Sequence, residues 1–139
     1  MKLTLGVLLL LSTVTPVHAQ GRWTSEDVHL ALATVGPRTR CVVGYEIGGG
    51  PYNPNRTYNP YATNPSSGAR GPIQMMPGGV IEREFLRTTV DEALAQGWSE
   101  EAAWAVNDVY RPDQVIPFLQ HKILTGHGSH WSPILLGLC

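Results

Sequence analysis

Hydrophobic positions change their spacing several times along the chain, and each change marks an element. From Leu3 to Val14 they form a nearly unbroken run, interrupted by Gly6, Ser12 and threonines. Thr24-Ser25-Glu26-Asp27 then reads as a helix cap with acidic residues in the first turn, which suits the helix dipole. Val28, Leu30, Ala31, Leu32 and Val35 supply that helix's apolar content, and Gly36-Pro37 stops it. A second helical segment, Thr39 to Ile47, places Cys41, Val42 and Tyr45 on one face and ends at Gly48-Gly49-Gly50-Pro51.

Residues 48–72 show no period and are dense in Gly, Pro, Asn, Ser and Tyr. A loop of that length in a small domain is functional or disordered. Tyr52, Tyr58 and Tyr61 argue for order, because disordered segments are poor in aromatic residues. Beyond it, the capping box Thr89-Val90-Asp91-Glu92 predicts a short helix closed by Gly97. Ser99-Glu100-Glu101-Ala102 predicts another, with Ala103, Val106 and Tyr110 on one face and Pro112 past its end. Asp113 to Leu124 carries Val115, Ile116, Leu119 and Ile123 at helical spacing, with Pro117 in its first turn. Ser132-Pro133 reads as the cap and first residue of a last turn before Cys139. With no alternating strand pattern, the fold class is mainly α: a helical lobe with a long, loop-rich insertion.

The first apolar run is shorter than the roughly 20 residues of a membrane span. Lys2 precedes it and Val17-His18-Ala19 follows with small residues at the positions a signal peptidase reads. Residues 1–19 are therefore expected to be a signal peptide cleaved after Ala19. The mature domain, 20–139, is then secreted or periplasmic, holds no membrane segment and is expected to be a monomer. Both cysteines, Cys41 and Cys139, remain in it. In an oxidising compartment their pairing is the default expectation, two free thiols being the alternative. Closing so long a loop stabilises a fold by roughly 4 kcal/mol in the chain-entropy model.

At 139 residues with a formal net charge of −1, the chain is one domain and lacks the basic excess of a nucleic-acid binder. It is too short for a two-domain dinucleotide enzyme or an eight-stranded α/β barrel. The charge is uneven: residues 20–71 hold five Arg against three acids, and residues 72–121 three Arg against eight. No nucleophile elbow, H-E-x-x-H, P-loop or G-x-G-x-x-G occurs, so no cofactor is implied. His127-Gly128-Ser129-His130 lacks a nearby third ligand, and no metal is expected there.

Glu46 stands out. It lies in Val42-Val43-Gly44-Tyr45-Glu46-Ile47, an otherwise apolar stretch at the end of a predicted helix. Desolvation and the negative end of the helix dipole both raise a carboxyl pKa there, and a carboxylic acid protonated near neutral pH suits general-acid work. The alternative is a glutamate paired with Arg38 or Arg40, one or two turns back.

Tyr45-Glu46-Ile47-Gly48-Gly49, followed by Asn64-Pro65-Ser66-Ser67-Gly68-Ala69-Arg70-Gly71-Pro72-Ile73-Gln74-Met75-Met76-Pro77, resembles the soluble lytic transglycosylases of the lysozyme-like superfamily. Those enzymes carry a catalytic glutamate in an E-S-G-G-like turn and then an S-G-A-x-G-L-x-Q-x-M-P segment. The resemblance covers residues 41–77. It implies an α+β lysozyme-like fold, Glu46 as the single general acid/base, and Gln74, Met76 and Asn64 beside the sugar at the cleavage site. Tyr61 is a candidate for the same cleft, and Tyr110 stands in for a family tyrosine that contacts the acid. The implied partner is peptidoglycan or a related N-acetylated glycan strand, cut between N-acetylmuramic acid and N-acetylglucosamine with a 1,6-anhydro product.

A two-carboxylate hydrolase needs a second acid across the cleft. No Asp or Glu lies between Glu46 and Gln74, which favours single-acid chemistry, with Asp108 or Asp113 the distant candidates. The chain departs from the family pattern at Ile47 and Pro72, and residues 50–63 read as an insertion. Tyr52, Tyr58, Tyr61 and Trp131 are equally readable as sugar-stacking or as core residues. Two rival functions accompany this reading: a hydrolytic muramidase or glycosidase on the same fold, and a non-catalytic wall-binding module.

Overall fold

A computed structural model describes residues 22–105 and 107–139; the expected signal peptide and the place of Val106 on its helix face lie outside the described residues. The chain is mainly helical. The elements are α1 (Ser25–Leu32), α2 (Pro37–Gly48), α3 (Val80–Ala95), α4 (Glu100–Ala105), α5 (Pro112–Leu124), a 3-10 turn (Gly128–His130) and α6 (Ser132–Leu135). Among the described residues no helix is long and apolar enough to cross a membrane.

The first two helices follow local signals. Thr24 Oγ1 accepts from the Asp27 amide at 3.3 Å, and Asp27 Oδ2 accepts from the Thr24 amide at 2.8 Å, a reciprocal cap of α1. Pro37 opens α2 at a position where its missing N–H costs nothing. Gly49, at φ 72°, ends α2 in the left-handed region and returns its N–H to the Gly44 carbonyl.

Further along, boundaries move. The helix expected from Thr89 begins nine residues earlier, at Val80. Gly78 (φ 69°) and Gly79 make the turn into α3, and Glu82 Oε1 accepts from the Gly78 amide at 3.1 Å. Thr89 is thus interior, its hydroxyl bonded back to the Phe85 carbonyl at 3.2 Å. Helix α5 starts at Pro112, so Pro117 lies inside it rather than in the first turn. It sits on an exposed side, where water can satisfy the carbonyl it leaves free. In α6, Trp131 is the cap, and Ser132 and Pro133 are the first two helical residues.

The core joins Val28 and Leu32 of α1, Val42 and Val43 of α2, Phe85 of α3, and Val115, Ile116 and Leu119 of α5. Ile73, Met75 and Trp131 complete it. Each such side chain contributes roughly 1.5–3 kcal/mol by leaving water. Cys41 and Cys139 are joined by a disulfide across a sequence separation of 98, and Arg38 Nε donates to the Cys139 carbonyl at 3.0 Å. The tail is therefore clasped to α2.

The insertion is ordered by packing on α1. Tyr58 is 1% exposed, its amide donates to Ser25 Oγ at 2.8 Å, and its ring stacks on Tyr52. His29 Nε2 lies 2.8 Å from the Arg56 carbonyl, which can only accept, so Nε2 carries the proton. Nδ1 is then free to accept from the Tyr52 hydroxyl at 2.7 Å. Tyr52, Tyr58 and Trp131, which donates to the Ile73 carbonyl at 2.8 Å, serve packing rather than an open sugar face.

The chain reverses directly over α2. A Cβ at Gly44 would stand 2.5 Å from the Tyr52 nitrogen and 2.7 Å from the Gly50 carbonyl oxygen, both backbone atoms that cannot step aside. Gly44→Ala is expected to destabilise the protein by roughly 1–3 kcal/mol despite alanine's better helix propensity. Gly49→Ala meets nothing within 4 Å and bears only the left-handed backbone cost, about 1–2 kcal/mol. Urea denaturation of the two variants checks the order.

Candidate active site

Thr39, Val42 and Val43 are fully buried, and they stand seven, four and three residues before Glu46. At 3.6 residues per turn that spacing carries Glu46 onto the same inward stripe. A carboxyl therefore occupies the last position of a core-facing stripe, where it is only half-buried because the helix is ending. Burial pushes its pKa from 4.5 to about 7. Among the described residues no hydrogen bond or ion pair engages it. The two arginines that offered a pairing point elsewhere: Arg38 to the Cys139 carbonyl, and Arg40 to the carbonyls of Leu32 and Val35. Near neutral pH Glu46 is then close to half-protonated, the condition a proton donor and acceptor needs.

The segment 61–76 is a compact assembly with little regular structure. Isolated antiparallel bridges pair Thr63 with Arg70 and Arg70 with Met75. Asn64 folds the tip: its Oδ1 accepts from the amides of Ser66 at 2.8 Å and Ser67 at 3.3 Å. Asparagine before Pro-Ser-Ser is thereby an Asx turn, its side-chain oxygen bonded within the loop.

Gln74 has φ 54°, uncommon for a residue with a Cβ. Its Nε2 donates to the Ala62 carbonyl at 2.9 Å and the Gly71 carbonyl at 3.0 Å, which ties three parts of the loop together and holds the strained backbone. Gly71, at φ 82°, lets the loop touch its neighbour: a Cβ there would stand 2.4 Å from the Val109 carbonyl oxygen.

That neighbour, residues 107–111, brings in Tyr110. The Tyr61 and Tyr110 rings lie 5.2 Å apart, and the Tyr61 hydroxyl accepts from the Trp23 amide at 2.9 Å. Met76, 48% exposed, and Gln74 line a cavity of about 300 Å³ with Val80, Ile81, His130 and Trp131. Tyr61, Tyr110, Gln74 and Met76 thus belong to one loop assembly. Glu46 does not line that cavity, and no hydrogen bond joins it to Asn64, Gln74 or the two tyrosines.

Neither distant carboxylate is paired with Glu46. Asp108 accepts from Trp23 Nε1 at 2.7 Å and from the Tyr110 amide at 2.8 Å; Asp113 is held by Arg111 at 2.7 Å. Burial, without a neighbouring charge, is what raises the Glu46 pKa.

The Arg70–Glu82 pair, 3.2 Å apart with only Glu82 buried, is not visible in the sequence pattern. Glu82 looks there like one more charge of a polar helical run. Its position in the turn after Gly78-Gly79 is the signal that separates it, since an acid there can serve the helix start. Arg70, whose guanidinium lies 6.0 Å from the Tyr110 ring centre, links the loop to both α3 and Tyr110. Comparison with protein-family models, curated proteins and solved structures finds no match to this chain.

Proposed function

We propose that the chain is a secreted or periplasmic enzyme of lysozyme-like, lytic-transglycosylase type that cuts the β-1,4 bond between N-acetylmuramic acid and N-acetylglucosamine in peptidoglycan. The observation that carries this is Glu46: a desolvated carboxyl without a partner among the described residues, its pKa about 7, at the glutamate position of the motif that resembles that family. The α+β lysozyme-like fold and the monomeric state belong to the same proposal.

In this reading Glu46 donates its proton to the glycosidic oxygen as the bond breaks. Its carboxylate then takes the proton of the muramic acid C6 hydroxyl, and that oxygen closes onto C1 to give the 1,6-anhydro ring. One group performs both transfers, which requires a pKa near the working pH. Gln74 holds the loop that presents Met76, and Tyr61 and Tyr110 offer half-exposed rings for sugar faces.

One observation favours a second reading, a glycan-binding module without catalysis: the cavity lined by Gln74 and Met76 does not include Glu46. Mass spectrometry of purified cell-wall glycan after incubation with the protein separates the outcomes. Anhydro-muramyl ends are expected. Reducing ends without the anhydro ring would replace the transglycosylase by a hydrolase, and intact but protein-bound glycan would leave the binding module.

A further inference from the structure

Helices α3 and α5 meet through their side chains. At one end Glu84 pairs with Lys122 at 2.6 Å, and the Phe85 and Phe118 rings meet edge to face. Toward the C-terminal half of α3 and the N-terminal half of α5, side chains of both helices line a cavity of about 360 Å³. It is separate from the loop assembly described above and shares no lining residue with the Gln74–Met76 cavity.

Acceptors outnumber donors on the lining of this cleft, where the His121 ring and the Gln114 amide nitrogen are the side-chain donors and Asp113 is held by Arg111. Gln114 Oε1 is buried without a partner, a costly state for an amide oxygen. Glu92, exposed on the opposite wall, has no ion pair among the described residues. The Thr88 hydroxyl spends its proton on the Glu84 carbonyl at 2.9 Å, and the Thr89 hydroxyl is bonded to Asn107, so both leave lone pairs. Pro117 and the Phe118 ring supply apolar wall between these groups. The surrounding stretch, residues 72–121, holds eight acids against three arginines.

An acceptor-rich wall with an apolar floor is complementary to a donor-only head on an alkyl stem. A sugar, which presents acceptors as well as donors, would find only the His121 ring and the Gln114 amide nitrogen as side-chain donors here. We propose that this cleft binds a primary ammonium on a short aliphatic arm, as in the side chain of lysine or another diamino acid, between Glu92 and Gln114. The Gln114 amide can turn toward the ammonium without losing a bond to its oxygen, and the arm lies along Pro117 and Phe118. Nothing in this depends on Glu46 or on glycan cleavage, so either reading can fail alone.

Amide NMR of the 15N-labelled protein tests it with three probes: Nα-acetyl-lysine methylamide, the same compound acetylated at Nε, and N-acetylglucosamine. The lysine probe is expected to shift resonances of residues 88–92 and 113–121, and the other two to leave them in place. Glu92→Gln, a surface change whose otherwise unaltered spectrum shows the fold intact, should weaken lysine binding by about tenfold, the value of a charge-assisted hydrogen bond. Equal shifts from the Nε-acetylated probe, shifts from the sugar in place of the lysine probe, no shift from any probe, or unchanged affinity in Glu92→Gln would each overturn the proposal.

Discussion

Replacing Glu46 by glutamine is expected to remove glycan cleavage while making the protein more stable at alkaline pH. General acid–base catalysis contributes about 10²–10⁴-fold, so a loss of at least about 100-fold is expected in cell-wall clearing. The stability effect follows from burial. In the unfolded chain Glu46 ionises around pH 4.5, and in the folded protein around pH 7. At pH 4 the carboxyl is neutral in the folded state and mostly neutral in the unfolded one, so it costs little. Between those two values the unfolded state releases its proton first, so stability falls as pH rises, and above pH 7 the penalty is complete.

The glutamine side chain of Glu46→Gln carries no such penalty. The variant should therefore match the parent at pH 4 and exceed it at pH 8, by on the order of 1 kcal/mol, because the half-exposed carboxyl retains part of its hydration. Denaturant titrations at the two pH values measure it. A variant less stable at pH 8 would mean that Glu46 has a stabilising partner and is a structural acid. In the active protein, cleavage should decline as pH rises through about 7, where the donor loses its proton.

Breaking the clasp is the second large effect. The disulfide closes a loop with a sequence separation of 98, and a constraint of that length restricts the unfolded chain by roughly 4 kcal/mol in the entropy model. For a domain of this size that corresponds to a fall in melting temperature on the order of 15 °C. Cys139→Ser, melted beside the parent with and without reductant, should show it: reductant lowers the parent to the variant's value and leaves the variant unchanged. A variant that melts with the oxidised parent would mean the α2–tail contact stands without its covalent bond. Cys41 lies five residues before Glu46 on α2, so loosening the tail should also disturb the helix end that buries the acid.

What the sequence disclosed was what neighbours in the chain decide. Thr24 and Asp27 cap each other within one turn and Gly36-Pro37 separates two helices, both readable by counting residues. Glu46 shows as a lone acid in an apolar stretch, but the face that buries Thr39, Val42 and Val43 is not the Cys41–Val42–Tyr45 face the spacing suggests. The start of α3 was misread because Thr89-Val90-Asp91-Glu92 is a plausible local cap. Phe85, buried one turn earlier, and the glycine turn at 78–79 extend the helix through it. The Asx turn at Asn64 is local as well: its side-chain oxygen bonds the amides of Ser66 and Ser67, two and three residues on. Tyr52 and Tyr58 owe their roles to His29 and Ser25 on α1, far away in sequence. The loop assembly likewise depends on Gly71 meeting Val109 and on Arg70 reaching Glu82. No periodicity encodes those approaches.

The clasp between Cys41 and Cys139 also makes a covalent ring of everything from the middle of α2 to the last residue. The insertion, the Gln74 loop and helices α3 to α6 all lie within that ring. A single peptide-bond cut at any exposed turn inside it, such as Asn53 to Thr57, opens the ring without releasing a fragment. Such a molecule can be nicked once by a protease and still keep its two pieces covalently joined.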